Sequence, residues 1–197
     1  MFYAHNTVAT LSMNDVHHVL RPRLDPGWDR RIAVDLVSEM EQHLGKVKTL
    51  PELRSLLSIN GYRGLRNRIE NATRKATGIV ALRAMAHAMR GYALANPGLA
   101  AASFRSLDVN SPEWEAAGKD LAETVLGVFA SCAIHGEQAL SGALILRSMV
   151  RGFVVNEMST PGRSLDFQKS FSVAVEMIIS GLRELSLDGA RDTVALG

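Results

Sequence analysis

The chain has little of what several classes of protein require. Its 197 residues include one cysteine, Cys132, so an internal disulfide framework is excluded and a reducing cytoplasm is expected. Cys132 lies in an apolar helical pattern, which favours a buried structural thiol over a nucleophile. Alternating polarity with β-branched enrichment is also lacking, so the sequence predicts no sheet.

Long apolar runs and leader-like segments are missing as well. No apolar run approaches the ~20 residues that a membrane-spanning helix needs. The first residues do not place a basic segment before an apolar one, as a secretory leader does. Since 47% of the residues are apolar, enough for a sizeable core, we expect a soluble cytoplasmic protein that does not engage a membrane.

The short motifs that mark common enzyme sites are absent too. There is no Gly-rich phosphate loop, no Gly-x-Ser-x-Gly and no His-Glu-x-x-His. His135 and Glu137 lack the downstream Pro-Cys-x-x-Cys that a zinc deaminase needs. His17 and His18 are adjacent and would point ~100° apart on a helix, so they do not share a metal without further ligands. We therefore expect no catalytic residues, no metal site and no cofactor.

What the sequence does contain is helical periodicity over most of its length. Apolar residues recur every three or four positions, and proline or glycine breaks separate the periodic segments. Thr49 to Glu52 and Ser111 to Glu113 have the pattern of a helix start, with a hydroxyl cap, an early proline and an acid. The pattern predicts an all-α chain whose last helix loosens after Leu187.

Charge is distributed unevenly along the chain. Residues 1–75 hold 12 Lys+Arg against 8 Asp+Glu, whereas residues 76–197 hold 10 against 12. A basic front and a mildly acidic back suit a protein that presents its front to a polyanion such as DNA. Ordinary charge scatter is the alternative interpretation of the same difference.

Two segments of the back half carry a family resemblance. Ala81–Phe104 is an amphipathic helix stopped by Asn96-Pro97-Gly98, and Leu146–Glu157 is apolar with an Arg-Gly-Phe step at residues 151–153. Together they resemble the ligand-sensing half of the tetracycline-repressor (TetR) family of transcriptional regulators, in the branch with a WHG-type C-terminal domain. The resemblance implies a helix-turn-helix head in residues 1–49, a sensing and dimerisation body in residues 50–197, and operator DNA as a partner.

The last two predicted helices indicate how the body assembles. Residues 138–158 and 165–184 are apolar over a wider arc than one contact face requires. A second copy would bury the excess in a four-helix bundle about a two-fold axis, and TetR-like regulators dimerise through their two C-terminal helices. The alternative is that these are the central helices of a monomeric body.

The resemblance also implies a cavity in the body for a small apolar effector. Methionine and phenylalanine side chains at helical spacing can line such a cavity, although the same spacing is common in a hydrophobic core without a cavity. The candidate ligand-binding residues are Met85, Met89, Phe104, Phe129, Met149 and Phe153.

Upstream, Asp29–Lys46 resembles the helix-turn-helix in order. Arg31–Leu36 resembles its first helix, Val37-Ser38 the turn and cap, and Gln42–Lys46 the end of the recognition helix. Ser38, Gln42 and His43 would then face base edges or the adjoining backbone, and Lys46 and Lys48 would bind phosphates. The full set of candidate DNA-binding residues is Arg30, Arg31, Ser38, Gln42, His43, Lys46 and Lys48.

This stretch also departs from the family pattern. The turn lacks a glycine after Leu36, the recognition helix is about two residues short of the family's length, and Glu41 or a gap replaces the usual aromatic before His43. In a second register, Trp28–Met40 is the opening helix of the head and most of the helix-turn-helix is absent. The protein would then be a DNA-incompetent helical dimer that retains only effector or partner binding.

Overall fold

A computed structural model describes residues 50–103, 111–159 and 166–195. This part of the chain forms six α-helices and no strand, which confirms the all-α class. The head expected in residues 1–49, with all seven candidate DNA-binding residues, and the candidate ligand residue Phe104 lie outside the described residues. The helices are α1 Leu50–Thr73, α2 Gly78–Ala95, α3 Pro97–Ser103, α4 Pro112–Ala130, α5 Gly136–Ser159 and α6 Phe167–Ala195.

The start of α4 confirms the cap that the sequence predicts. The Ser111 hydroxyl oxygen accepts a hydrogen bond from the backbone N–H of Trp114 at 3.1 Å, and Pro112 occupies the first helical position. Glu113 adds a negative charge to the first turn, where the helix dipole favours it. At α6 the corresponding cap is Asp166, whose Oδ1 accepts from the backbone N–H of Lys169 at 2.9 Å.

Two predicted boundaries differ from the structure. The break at Asn96 does end α2, but Pro97 then begins the short helix α3, because a proline at a first helical position needs no N–H donor. The prediction that the last helix loosens after Leu187 is wrong, since α6 continues to Ala195. Gly189 is the single glycine after Leu187 in that helix, and one glycine costs only about 1 kcal/mol relative to alanine.

The core of the body lies where α2 is surrounded by the other helices. Met85, at the centre of α2, and Phe129, near the end of α4, are completely buried. The apolar side chains that pack with them come from α1, α5 and α6 and include Leu57, Ile69, Val150, Val154, Phe171 and Val175.

Glycines in α1 set how closely this helix approaches its neighbours. A Cβ on Gly61 would overlap the Ser103 hydroxyl and lie 2.7 Å from the Leu99 carbonyl oxygen. A Cβ on Gly64 would overlap the Tyr92 phenol. These two glycines therefore allow α1 to pack directly against α3 and α2. The Ser58 hydroxyl reinforces the contact with α3 by donating to the Ala102 carbonyl oxygen at 2.9 Å.

Among the described helices, α5 is long and apolar enough to cross a membrane by length and composition alone. Its Ala139, Leu146, Val150 and Val154 are buried against the rest of the body, while Ile145 is more than half exposed. Its high hydropathy therefore reflects one apolar face in the core and further apolar residues on the surface.

Candidate functional site

A cavity of about 330 Å³ lies between α1, α2, α4 and α5, with Ser103 of α3 also in its wall. Its volume is at the lower end of the roughly 300–1,000 Å³ that is typical of small-molecule sites. The exposed lining residues Ala122, Leu140, Leu144 and Arg147 belong to α4 and α5, so the cavity opens between these helices. The complete lining is Tyr62, Leu65, Met89, Ser103, Gly118, Leu121, Ala122, Val125, Leu126, Leu140, Ala143, Leu144 and Arg147.

The walls of the cavity are mostly apolar, and its polar side chains are Tyr62, Ser103 and Arg147. The buried Ser103 hydroxyl donates to the Leu99 carbonyl oxygen at 2.7 Å, within the same helix, so its hydrogen is already used. Burial raises the pKa of the Tyr62 phenol, and the nearby positive charge of Arg147 opposes this increase only in part. Tyr62 is therefore a neutral hydroxyl near physiological pH, and Arg147 supplies the only charge among the lining residues.

One end of the cavity is formed where α1 and α4 meet. The Tyr62 ring packs against the Trp114 ring, with centroids 6.1 Å apart and planes tilted by 45°. Gly118 faces the Tyr62 ring, since a Cβ there would lie 3.5 Å from it, in ordinary van der Waals contact. On the outer surface, two ion pairs of 2.9 Å join the same helices, namely Arg63–Glu113 and Arg66–Asp120.

The structure separates the candidate ligand residues from one another. Met89 lines the cavity, whereas Met85 and Phe129 are completely buried in the core. Met149 and Phe153 are half-buried and pack against the core, where the Phe153 ring meets the edge of Phe171 at a centroid distance of 5.3 Å.

Sequence reasoning missed most of the cavity wall. Leu121 and Val125 belong to the apolar stripe of α4, and nothing in their spacing distinguishes cavity wall from core. A usable signal was present in α5, where Leu140, Leu144 and Arg147 fall at spacings of four and three and so lie on one helix face.

A second polar cluster lies between α2, α5 and α6. The Arg90 guanidinium donates to both carboxylate oxygens of Glu157 at distances from 2.6 to 3.1 Å, and to the side-chain oxygen of Gln168 at 2.5 Å. It also lies over the Phe171 ring, 5.3 Å from the centroid. Since Arg90 is almost completely buried, the cluster acts as a clamp that fixes α2 against α5 and α6.

His87 borders this clamp one turn before Arg90. Its ring packs edge-on against Phe171 at a centroid distance of 5.3 Å. Burial lowers the pKa of His87, and the positive charges of Arg90 and Arg83 lower it further. Arg83 itself pairs with Glu176 of α6 on the exposed side of the cluster.

The surface of α5 and α6 carries large apolar side chains that the body does not cover. Ile145 on α5 and Val173 and Met177 on α6 are each more than half exposed. We call these three residues the α5–α6 apolar surface. Large apolar side chains that stay exposed on two packed helices are typical of an interaction surface.

Side chains suited to catalysis or metal binding are sparse in the described part of the chain. There, no group of three or more His, Cys, Asp or Glu side chains is close enough to hold a metal ion. Cys132 is half-buried, and burial raises the pKa of its thiol, so little reactive thiolate is present.

The comparisons with known proteins concern most of this body. Residues 82–178 match the tetracyclin repressor-like C-terminal domain, a match that extends from α2 into α6. The chain is also 28% identical over 168 residues to an uncharacterized HTH-type transcriptional regulator of Mycobacterium tuberculosis. That alignment covers 83% of this chain and 77% of the relative. Residues 50–197 make up less than 83% of the chain, so the alignment also includes part of residues 1–49.

Proposed function

We propose that the chain is a TetR-like transcriptional regulator, a DNA-binding repressor that a small apolar effector releases from DNA. Residues 1–49 would form the DNA-binding head, and residues 50–197 the cytoplasmic sensing and dimerisation body. The observation that carries this proposal is the apolar cavity of about 330 Å³, because it is bordered by α1, the helix that follows the head along the chain.

In the head, we propose that DNA is bound through the residues that the helix-turn-helix resemblance selects, with Lys46 and Lys48 on phosphates. Two observations support this part of the proposal. Residues 1–75 carry the basic excess of the chain, and the similarity to an HTH-type regulator includes part of residues 1–49.

We propose that two copies associate through residues 138–158 and 165–184, which include most of α5 and the first part of α6. The α5–α6 apolar surface supports this assignment, because Ile145, Val173 and Met177 would otherwise face water. Burial of apolar surface gains about 25 cal/mol per Å², so a four-helix contact that covers these side chains is favourable. Dimerisation would place two heads on one side, at a fixed spacing for two half-sites of DNA.

The proposed coupling runs from the cavity to the head through α1. Tyr62 and Leu65 of α1 form part of the cavity wall, and Gly61 and Gly64 hold the same helix against α3 and α2. An effector that fits the cavity better when α1 is displaced would favour the displaced state, since a ligand shifts an equilibrium only by its difference in affinity. The displacement would change the spacing of the two heads.

A gel-shift titration with the DNA that flanks the protein's own gene tests this proposal. We expect affinity to fall steeply with salt, and Lys46→Ala to weaken binding to all sequences alike and to reduce the salt slope by about one. Lys119→Ala is the matched control, because Lys119 is an exposed residue of α4 in the body. Absence of binding at every salt concentration would favour the alternative, a DNA-incompetent helical dimer that retains only effector or partner binding.

A further inference from the structure

We infer that the effector is an amphiphile, a small apolar molecule with one anionic group, and that Arg147 binds this group at the mouth of the cavity. The inference rests on the proposed function of the cavity as an effector site. It adds the chemical class of the molecule and the residue that recognises its polar end.

The charges around the cavity favour an anion. Arg147 is the only charged residue in the lining, and no Asp or Glu is part of it. Two acidic residues of the neighbouring helix, Glu113 and Asp120, pair with arginines of α1 on the outer surface. The lining therefore presents one positive side chain, at the exposed end of the cavity, and no negative one.

The arrangement of the lining matches the two ends of an amphiphile. Met89 is buried at the inner wall, whereas Leu140, Leu144 and Arg147 lie in order along the exposed face of α5. An apolar tail would replace water against the inner wall, while the anionic group stayed at the solvent boundary. This placement avoids the large cost of burying an unpaired charge in an apolar interior.

Two polar side chains of the lining, Arg147 and Tyr62, also suit an acidic ligand. A guanidinium offers parallel N–H donors that match the two oxygens of a carboxylate. The positive charge of Arg147 lowers the pKa of the Tyr62 phenol, so the two side chains are close enough to interact electrostatically. Because burial raises the pKa of Tyr62, its hydroxyl keeps its proton and supplies a further donor to an anion.

Straight-chain acids and alcohols of equal length test the inference by isothermal titration calorimetry on the full chain. Octanoate, decanoate and dodecanoate are compared with octanol, decanol and dodecanol. Arg147→Gln should weaken binding of the acids about tenfold, because it removes a charge-assisted hydrogen bond at a site that is partly solvated. The alcohols should change by less than about twofold.

Arg151→Gln is the matched control, because Arg151 is an exposed arginine one turn later on the same helix and is not part of the lining. It should leave the affinity for acids and alcohols unchanged. Acids that bind Arg147→Gln as tightly as the unaltered protein would overturn the inference, and so would an equal loss for both variants.

These results are distinguishable from a failure of the proposed function. If alcohols bind as well as acids and Arg147→Gln has no selective effect, the apolar site stands and the anionic effector is refuted. If neither series binds the unaltered protein, both the site and the inference fail. If the acids bind through Arg147 but leave DNA affinity unchanged, Arg147 stands as the residue that binds the anionic group, and effector-controlled repression fails.

Discussion

Removing Glu157 tests the clamp between α2 and the α5–α6 pair. The Arg90 guanidinium donates to two side chains, Glu157 and Gln168. Glu157→Ala removes the first acceptor and leaves the second. The side chains of Arg90 and Glu157 are 9% and 27% exposed, so the arginine left behind is largely shielded from water. The loss of unfolding free energy in Glu157→Ala should therefore reflect a buried charge that has lost its counterion.

The size of the effect follows from this burial. Removing one partner of a buried ion pair costs about 3–5 kcal/mol, whereas an exposed pair contributes about 0–1 kcal/mol. Because Glu157 is partly solvated and Gln168 remains, we expect Glu157→Ala to lower the free energy of unfolding by about 2–3 kcal/mol. Glu176→Ala is the control, since it breaks the Arg83–Glu176 pair, whose side chains are 41% and 51% exposed. It should cost less than about 1 kcal/mol.

Urea denaturation at a fixed protein concentration measures both variants, because the stability of an associating protein depends on that concentration. The midpoint should shift clearly for Glu157→Ala and only slightly for Glu176→Ala, with equal slopes. Equal losses for the two variants would refute the clamp as a buried charge pair. Replacing both partners, with Arg90→Met and Glu157→Leu, should recover most of the stability.

Three further predictions concern α1, His87 and the cavity. Gly61→Ala should destabilise the protein by about 1–3 kcal/mol in urea denaturation, because its Cβ would overlap Ser103. Gly91→Ala, where a Cβ meets nothing within 4 Å, should instead stabilise it by about 0.5–1 kcal/mol, and the reverse order would contradict the packing of α1 on α3. The pKa of His87 is lower in the folded protein than in the unfolded chain. As the pH falls below about 6.5, the imidazole therefore becomes protonated in the unfolded chain before it does so in the folded protein. The free energy of unfolding should decrease over this range, down to the pKa of the folded protein. His87→Gln should flatten the decline of Tm between about pH 7 and pH 5, and an unchanged slope would exclude His87 as its cause. Ala122→Trp should fill the cavity mouth and abolish decanoate binding in calorimetry while Ala116→Trp, on an exposed site outside the lining, leaves it intact.

Local features of the fold were largely predictable from the sequence. The cap at Ser111 depends on neighbouring residues alone, and so does the apolar period of α2 and α4. The same period did not show that Met85 and Phe129, selected as candidate ligand-binding residues, are completely buried. Glycines are harder to interpret, because their effect depends on what they face. Gly61 and Gly64 weaken an isolated helix, yet in the fold they allow α1 to contact α3 and α2.

The cavity was less predictable, because it is the space that side chains from several helices leave unfilled. Met85 and Met89 lie one turn apart on the same apolar stripe, but only Met89 lines the cavity. Periodicity identifies the apolar face of a helix and does not show where neighbouring faces fail to meet. The pairing of Arg90 with Glu157 was also not predictable from the sequence, since the two residues are 67 positions apart along the chain.

Sedimentation velocity of the full chain decides whether the protein associates, and two heads reach two half-sites only if the bodies do so. We expect a particle of twice the 21.4 kDa chain mass, which Met177→Glu on the α5–α6 apolar surface converts to a single chain. Val80→Glu should leave the particle intact, since Val80 is an exposed apolar residue of α2 outside that surface. A single-chain particle for the unaltered protein would refute dimerisation, and a particle whose mass Met177→Glu does not change would refute the α5–α6 apolar surface as the interface.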